Sequence, residues 1–367
     1  MSTLRVGIVG VAADRGWARE AHVPAVRSVD GLEIVAVASK GQDAADAAAG
    51  ALGVARAYGD AADLISDEDV DVVTVAASVP AHRELVLATL AAGKHIMIEW
   101  PVGLGTAQTE ELAARADAAG VHTAVGLQSR MNPAATLALD VVRSGDIGRI
   151  LSATLLSTTA GFGRVVPEAE LYLEDPETGM NLVSIQAAHS LDLAILLAGQ
   201  LESLSALTTV QYPELEVPGR AEPARRTIAD HVLVHGRLAG GGALAAQIAG
   251  GRPADDTVFR LDLVGARGAL TLEGGAPRGF QAGVLSLSVN GEAIPIHNSA
   301  TDDLPDSVVN VARNYAALRD DVNDDTATAP TFDHALRLSH LVDDLTAAAL
   351  SGATVTASAD WPNSHEG

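Results

Sequence analysis

Residues 7–18 read Gly7-Ile8-Val9-Gly10-Val11-Ala12-Ala13-Asp14-Arg15-Gly16-Trp17-Ala18, directly after the apolar run Leu4–Val9 and ahead of a helical pattern over Ala18–Ser28. A glycine-bearing turn between a buried strand and a helix lets the backbone approach a pyrophosphate, and the helix start offers unpaired N–H groups to an anion. Gly10 fits the first glycine of the dinucleotide fingerprint, Ala12 replaces the second, and Gly16 comes late, as in a lengthened loop.

Outward from this turn, strand and helix patterns alternate. Strands are expected at Glu33–Ala38, near Ala55–Tyr58, and at Val70–Ala76, His95–Glu99 and His122–Leu127. Helices are expected at Ala44–Leu52, Asp60–Ile65, His82–Ala92 (closed by Gly93) and Thr106–Ala119 (closed by Gly120). Such alternation predicts an α/β Rossmann domain over 1–128, a doubly wound parallel sheet with its ligand beyond the carboxyl ends of the strands. The second strand ends Ala38-Ser39-Lys40, without the acidic residue that bonds an NAD ribose. Ser39 can bond a 2′-oxygen, and Lys40 either pairs with a 2′-phosphate or is a solvated loop lysine. NADP, or use of both cofactors, is therefore favoured over NAD alone.

After Pro133 the pattern changes. A helix over Ala134–Ser144 precedes strand candidates at Ile150–Thr159, Ser203–Gln211, His231–Leu238, Ala243–Ala249, Phe259–Gly265, Ala269–Glu273 and Val284–Val289. Leu182–Leu197, Val308–Asp320 and His334–Leu350 read as helices, and Asp320–Thr328 as an acidic, solvated loop. Strands joined by short turns predict a second domain over 129–367, α+β with a mainly antiparallel open sheet.

Composition narrows the function classes. The 367 residues carry a formal net charge of −23 with no run of basic residues, which argues against a nucleic-acid partner unless the fold gathers a basic patch. With no cysteine there is no disulfide framework, and no His/Asp/Glu group has metal-ligand spacing. No basic leader and no membrane-spanning run are read, so a cytoplasmic protein without a membrane partner is expected. Aromatic residues make up 3% of the chain, leaving Ala, Val and Leu to build the cores, and the only lysines are Lys40 and Lys94.

The segments Val79-Pro80-Ala81-His82, Ala92-Gly93-Lys94-His95, Glu99-Trp100-Pro101, Gln128-Ser129-Arg130-Met131-Asn132-Pro133 and His189-Ser190-Leu191-Asp192 together resemble the Gfo/Idh/MocA oxidoreductases. Gly16-Trp17-Ala18, Glu99-Trp100, Leu127-Gln128-Ser129-Arg130 and Asp230-His231 are similar to one branch, which holds a fungal galactose-regulon corepressor and bacterial look-alikes. The resemblance implies a dinucleotide held by Gly10, Ala12, Gly16 and Trp17, by Ser39 and Lys40, and by Ser78, His82, Glu99 and Gln128. It also implies a homodimer or homotetramer formed through the open sheet.

Family enzymes commonly carry Glu-Lys-Pro where this chain has Glu99-Trp100-Pro101, and Asp-x-Gly-x-His where it has Ile185-Gln186-Ala187-Ala188-His189. The lysine and the aspartate are both absent. His189 remains as acid or base, its ordinary pKa close to working pH. Asp192, three residues on, can share its face. Trp100 either stacks on nicotinamide or sugar or simply packs; Tyr172 either meets a substrate hydroxyl or packs at a domain edge. Arg130 either binds substrate or makes an ion pair, and His22 is read as structural. Two functions follow from these residues. One is NAD(P)-dependent hydride transfer to or from a sugar, cyclitol or related polyol. The other is a non-catalytic dinucleotide-binding regulator that works through a protein partner.

Overall fold

The computed structural model describes residues 3–296 and 303–358. They fall into two compact units: Met1–Gln128 with Ala300–Leu336, and Ser129–Ser299 with Arg337–Gly367.

In the first unit six strands run parallel: β1 (Leu4–Val9), β2 (Leu32–Ala38), β3 (Arg56–Tyr58), β4 (Val72–Val75), β5 (His95–Ile98) and β6 (Thr123–Val125). Their order, β3-β2-β1-β4-β5-β6, is that of the two-halved dinucleotide fold. Val6, Ile8, Val72, Val73, Ile96 and Ile98 are almost wholly buried, as strands covered on both faces require. Thr106–Ala119 is helical between Gly105 and a left-handed Gly120, so the glycines set its bounds. Helix Val79–Ala91 begins three residues earlier than expected because Pro80 is accommodated in its first turn. The pattern over Ala18–Ser28 resolves into a π-helical turn, Ala18–His22, followed by α-helix Val23–Ser28.

One element departs from the expected boundary. Helix Asp306–Asp324 presents Val308, Val311, Ala312, Tyr315 and Leu318 on one stripe, and these join the core of the first unit with Val6 and Ile8. Burial of that stripe, rather than chain order, decides its place. Asp320–Thr328 is a solvated loop only in its second half: the helix runs through Asp324, residues 325–328 are exposed coil, and buried Asp321 accepts the N–H groups of Thr328 and Ala329 at 2.8 and 2.9 Å.

The second unit is built on β7 (Ile150–Thr158), β8 (Leu201–Thr209), β9 (Glu214–Leu215), β10 (Ala224–Arg225), β11 (His231–Leu238), β12 (Ala243–Ala249), β13 (Phe259–Gly265), β14 (Ala269–Gly274), β15 (Leu285–Val289), β16 (Glu292–Ile294) and β17 (Val355–Thr356). Nine of these form one sheet in the order β16-β15-β14-β13-β7-β12-β11-β8-β17, while β9 and β10 pair apart. The sheet is mainly antiparallel, with β7 and β12 its parallel pair. Asn290 and Gly291, both at positive φ, make the tight turn between β15 and β16. Segment Pro176–Ala198 is long and apolar enough to cross a membrane by length and composition alone. Its apolar window is 72% buried inside the protein, so it serves as a core helix.

Candidate functional site

The carboxyl edge of the parallel sheet gathers most of the expected cofactor residues. Gly10 sits at φ +94°, and a Cβ there would lie 2.7 Å from the Ala76 carbonyl oxygen. Only glycine lets the turn close against the end of β4, where exposed Ser78 immediately precedes the next helix. Gly16 also has φ +94° but faces open space, so it needs the angle and not the room. Ser39 donates its hydroxyl to the Val11 carbonyl, tying the loop to the end of β2, and Lys40 is exposed beside it. Lys94 is spent elsewhere, its Nζ donating to the carbonyls of Asp67 and Val70 at 2.9 and 2.6 Å.

Several buried polar atoms at this edge lack a protein partner. Trp17 Nε1 and Arg19 Nη1 on the glycine-loop side, and Gln128 Oε1 just past β6, are buried without a hydrogen bond among the described residues. Orphaned groups of this kind cost folding free energy unless a ligand or water pairs them. Two donors near the loop suit an anionic pyrophosphate, so the residues present fit a dinucleotide. Ala12 lies half-buried in the loop.

His82 is fully buried, with Nδ1 2.9 Å from the Pro101 carbonyl oxygen and Nε2 3.0 Å from that of Ala77. Burial pushes its pKa below the ordinary histidine value, against the pull of the two carbonyls. A neutral ring donates to one of these two carbonyls, and its buried body fills the space between the loops after β4 and β5. Trp100 is 6% exposed, which leaves little of its face for a ligand in this structure.

Glu99 follows β5 and is held by residues distant in sequence. Its Oε1 is 2.7 Å from His22 Nε2, and His22 Nδ1 is 2.8 Å from the Tyr315 hydroxyl. That hydroxyl is 2.8 Å from Thr74 Oγ1. A Cβ on Gly126 would fall 2.9 Å from Glu99 Oε1, so a side chain there would displace the carboxylate. Nothing local in the sequence signals Tyr315 or Thr74. The one available hint is a lone tyrosine on the apolar stripe of a helix in an aromatic-poor chain.

In the second unit, His189 and Asp192 lie in the buried helix Ala188–Ala198, preceded by the π-helical turn Val183–Ala187. Arg130 grips Asp192 with both ends of its guanidinium, Nε–Oδ2 at 2.8 Å and Nη2–Oδ1 at 2.9 Å. Ser190 Oγ, 2.8 Å from Ser157 Oγ, and Gln186 Nε2, 3.2 Å from the same atom, moor the helix to β7. Tyr172 is 48% exposed, and partial burial beside Glu170 raises its phenol pKa. Its turn, Glu168–Glu174, is anchored by fully buried Arg226, which meets Glu174 at 2.6 Å, Asp230 at 3.2 Å, and the carbonyls of Phe162 and Gly163. Sequence reasoning missed Arg226, since an arginine in an exposed-looking segment carries no sign of burial.

Among the described residues no group of three or more His, Cys, Asp or Glu could hold a metal ion. A cavity of about 200 Å³ in the first unit, lined by Gly120, His122, Asp321 and Phe332, lies before β6 and away from the carboxyl edge.

The family model of the oxidoreductase family with an NAD-binding Rossmann fold matches residues 4–127, and that of the Gal80p C-terminal domain matches residues 133–274. Dehydrogenase aclE of Aspergillus oryzae is 29% identical over 368 residues, spanning 95% of this chain and 97% of that protein. D-apiose dehydrogenase of Paraburkholderia graminis is 31% identical over 199 residues, 53% of this chain and 50% of that one. The crystal structure of a super-repressor mutant of Gal80p from Saccharomyces cerevisiae superposes with a TM-score of 0.86 at 24% identity, covering 97% of this chain and 98% of that chain. The parallel sheet, its glycine turn and these matches agree: residues 4–127 are a Gfo/Idh/MocA oxidoreductase NAD-binding domain, and residues 133–274 match the Gal80p-type C-terminal domain.

Proposed function

We propose that this protein is an NAD(P)-dependent oxidoreductase acting on a sugar, cyclitol or related polyol. The observation that carries the reading is the set of orphaned polar atoms at the carboxyl edge of the parallel sheet, on a chain of an NAD-binding family. When bound, the dinucleotide supplies the hydride acceptor or donor. Gly10, Ala12 and Gly16 give the loop its close approach, Trp17 and Arg19 offer donors to the pyrophosphate, and Ser39 and Lys40 face the adenosine ribose. Ser78 lies at the start of the next helix, His82 fixes the loops around it, and Glu99 and Gln128 serve the nicotinamide half. Lys40 is what favours NADP: Lys40→Ala then weakens NADP binding and leaves NAD binding unchanged, whereas a strong NAD preference untouched by that substitution removes the assignment.

His189 carries the proton, taking it from a hydroxyl as the alcohol becomes a carbonyl and returning it in the reverse direction. Asp192 is neutralised by Arg130, so it orients more than it binds, and Arg130 meets substrate through Nη1, the nitrogen outside the pair. Tyr172 would supply a hydroxyl to the sugar, while Trp100, almost wholly buried, packs inside the protein instead of offering its face. The D-apiose dehydrogenase relative supports the substrate class. Purified protein with NAD+ or NADP+ should form reduced nicotinamide from at least one of D-apiose, D-galactose and myo-inositol. No turnover with either cofactor across these probes contradicts the reading.

Trp100 and Ile185, standing where family enzymes commonly carry lysine and aspartate, favour one second reading: a dinucleotide-binding regulator of the Gal80p kind. Dinucleotide binding without turnover would support it. Exposed Leu207 and Leu233, opposite each other in register on the second sheet, support a homodimer or homotetramer, which light scattering checks.

A further inference from the structure

The fully buried imidazole of His22 joins an edge carboxylate to an interior hydroxyl chain, an arrangement that core packing alone does not call for. The links are Thr74 Oγ1 to Tyr315 Oη at 2.8 Å, Tyr315 Oη to His22 Nδ1 at 2.8 Å, and His22 Nε2 to Glu99 Oε1 at 2.7 Å. Thr74 and His22 are both 0% exposed and Tyr315 is 1% exposed, while the Glu99 side chain keeps 21% of its surface. The chain thus starts in the dry core and ends at the one group that can reach a ligand.

The directions of these bonds follow from donor and acceptor counts. An ionised Glu99 can only accept, so His22 Nε2 donates to it. With a neutral imidazole, Nδ1 must then accept from the Tyr315 hydroxyl, whose oxygen accepts from the Thr74 hydroxyl. Every group is satisfied and the tautomer is fixed. Burial raises the Tyr315 pKa, which keeps the phenol protonated and available as that donor. The π-helical turn Ala18–His22, directly after the glycine loop, brings His22 into line with the chain.

Topology says what Glu99 serves. In the order β3-β2-β1-β4-β5-β6 the first half of the sheet takes the adenosine side of a dinucleotide, and β4 to β6 take the other. Glu99, at the end of β5 and over Gly126, stands on the second half. We infer that Thr74, Tyr315 and His22 are positioning residues that hold the Glu99 carboxylate as the acceptor for a hydroxyl of the nicotinamide-side ribose. The inference rests on the dinucleotide-binding reading and adds residues outside the glycine loop to it.

Binding of ADP, ADP-ribose and NADH, measured by calorimetry on the full chain, separates this role from general support of the fold. ADP lacks the second ribose, and ADP-ribose has it without the nicotinamide ring. Tyr315→Phe and Glu99→Gln should each weaken ADP-ribose and NADH roughly tenfold, the worth of about one hydrogen bond to a charged group, with ADP unchanged. In the Glu99→Gln background Tyr315→Phe should add no further loss, because both act through one contact. Thr74→Val, a milder core change, should show the same split to a smaller degree and serves if Tyr315→Phe does not fold. Equal loss of all three ligands, or no loss of any, overturns the inference. So does additivity of the two substitutions. If the unmodified protein binds none of the three ligands, the dinucleotide-binding reading fails and this inference with it.

Discussion

Arg130 and Asp192 lock together through two parallel hydrogen bonds, of 2.8 and 2.9 Å, with the Asp192 side chain wholly removed from solvent and that of Arg130 15% exposed. The pair joins the 3₁₀ turn Gln128–Met131 to the helix that carries His189. Breaking one partner leaves the other charged and buried. Arg130→Met is therefore expected to destabilise the protein by about 3–5 kcal/mol. Adding Asp192→Asn should restore part of that loss. Urea unfolding of the single and double variants measures this, and strictly additive losses would show that the two side chains act independently.

Arg226 has no exposed side-chain surface, and Glu174 and Asp230 beside it keep 8% and 1% of theirs. Since its guanidinium also takes the carbonyls of Phe162 and Gly163, Arg226→Met should free the whole of 162–174, Tyr172 included. Amide hydrogen exchange across that segment is expected to rise well above that of helix Ala188–Ala198. Unchanged protection would mean that the turn is held by other contacts.

Two glycines of one loop should respond differently to the same substitution. Gly10→Ala combines a left-handed angle with a 2.7 Å approach to backbone, which cannot yield, and is expected to cost about 2 kcal/mol or more and to weaken dinucleotide binding. Gly16→Ala meets only the angle, and about 1 kcal/mol is expected. Thermal unfolding of the two variants gives the order directly; equal shifts would contradict the role assigned to the Ala76 carbonyl.

Asp321 gives the acid side of the stability profile. Burial alone would raise its pKa, but the N–H groups of Ala329 and Thr328 and the hydroxyls of Thr326 and Thr328 outweigh burial and hold it below the ordinary carboxylate value. A depressed carboxyl stabilises the fold fully above its unfolded pKa, about 4, and loses that contribution as the pH falls through its lower folded pKa. Asp321→Asn should lower the melting temperature at neutral pH, with the gap to the unmodified protein closing as the pH falls below the ordinary carboxylate range. A gap of constant size across that range would rule out ionisation as its source.

Much of the fold is legible locally. His231–Leu238, Ala243–Ala249 and Phe259–Gly265 are strands over the residues that alternation marks, and Thr106–Ala119 is bounded by its glycines. Local pattern cannot show which elements meet. The parallel pairing of β7 with β12 and the placement of helix Asp306–Asp324 in the first unit are decided by burial across long separations. The candidate site divides in the same way. Gly10 is visible in the sequence because a turn needs it; the Thr74–Tyr315–His22 chain is not, because 241 residues separate Thr74 from Tyr315. Asp192 and Arg130 are both visible as polar residues, but their mutual neutralisation appears only once they are placed in three dimensions.

Use of the dinucleotide in chemistry, with His189 carrying the proton, is read most directly from the fate of the substrate hydride. Carbon-deuterated D-apiose, D-galactose and myo-inositol, incubated with NAD+ or NADP+, allow the cofactor to be examined by mass spectrometry for deuterium at nicotinamide C4. Deuterium transfer from at least one of these compounds is expected, with its loss in His189→Asn while cofactor affinity is retained. Bound cofactor that gains no deuterium from any of them, or transfer that continues at an unchanged rate in His189→Asn, would contradict it.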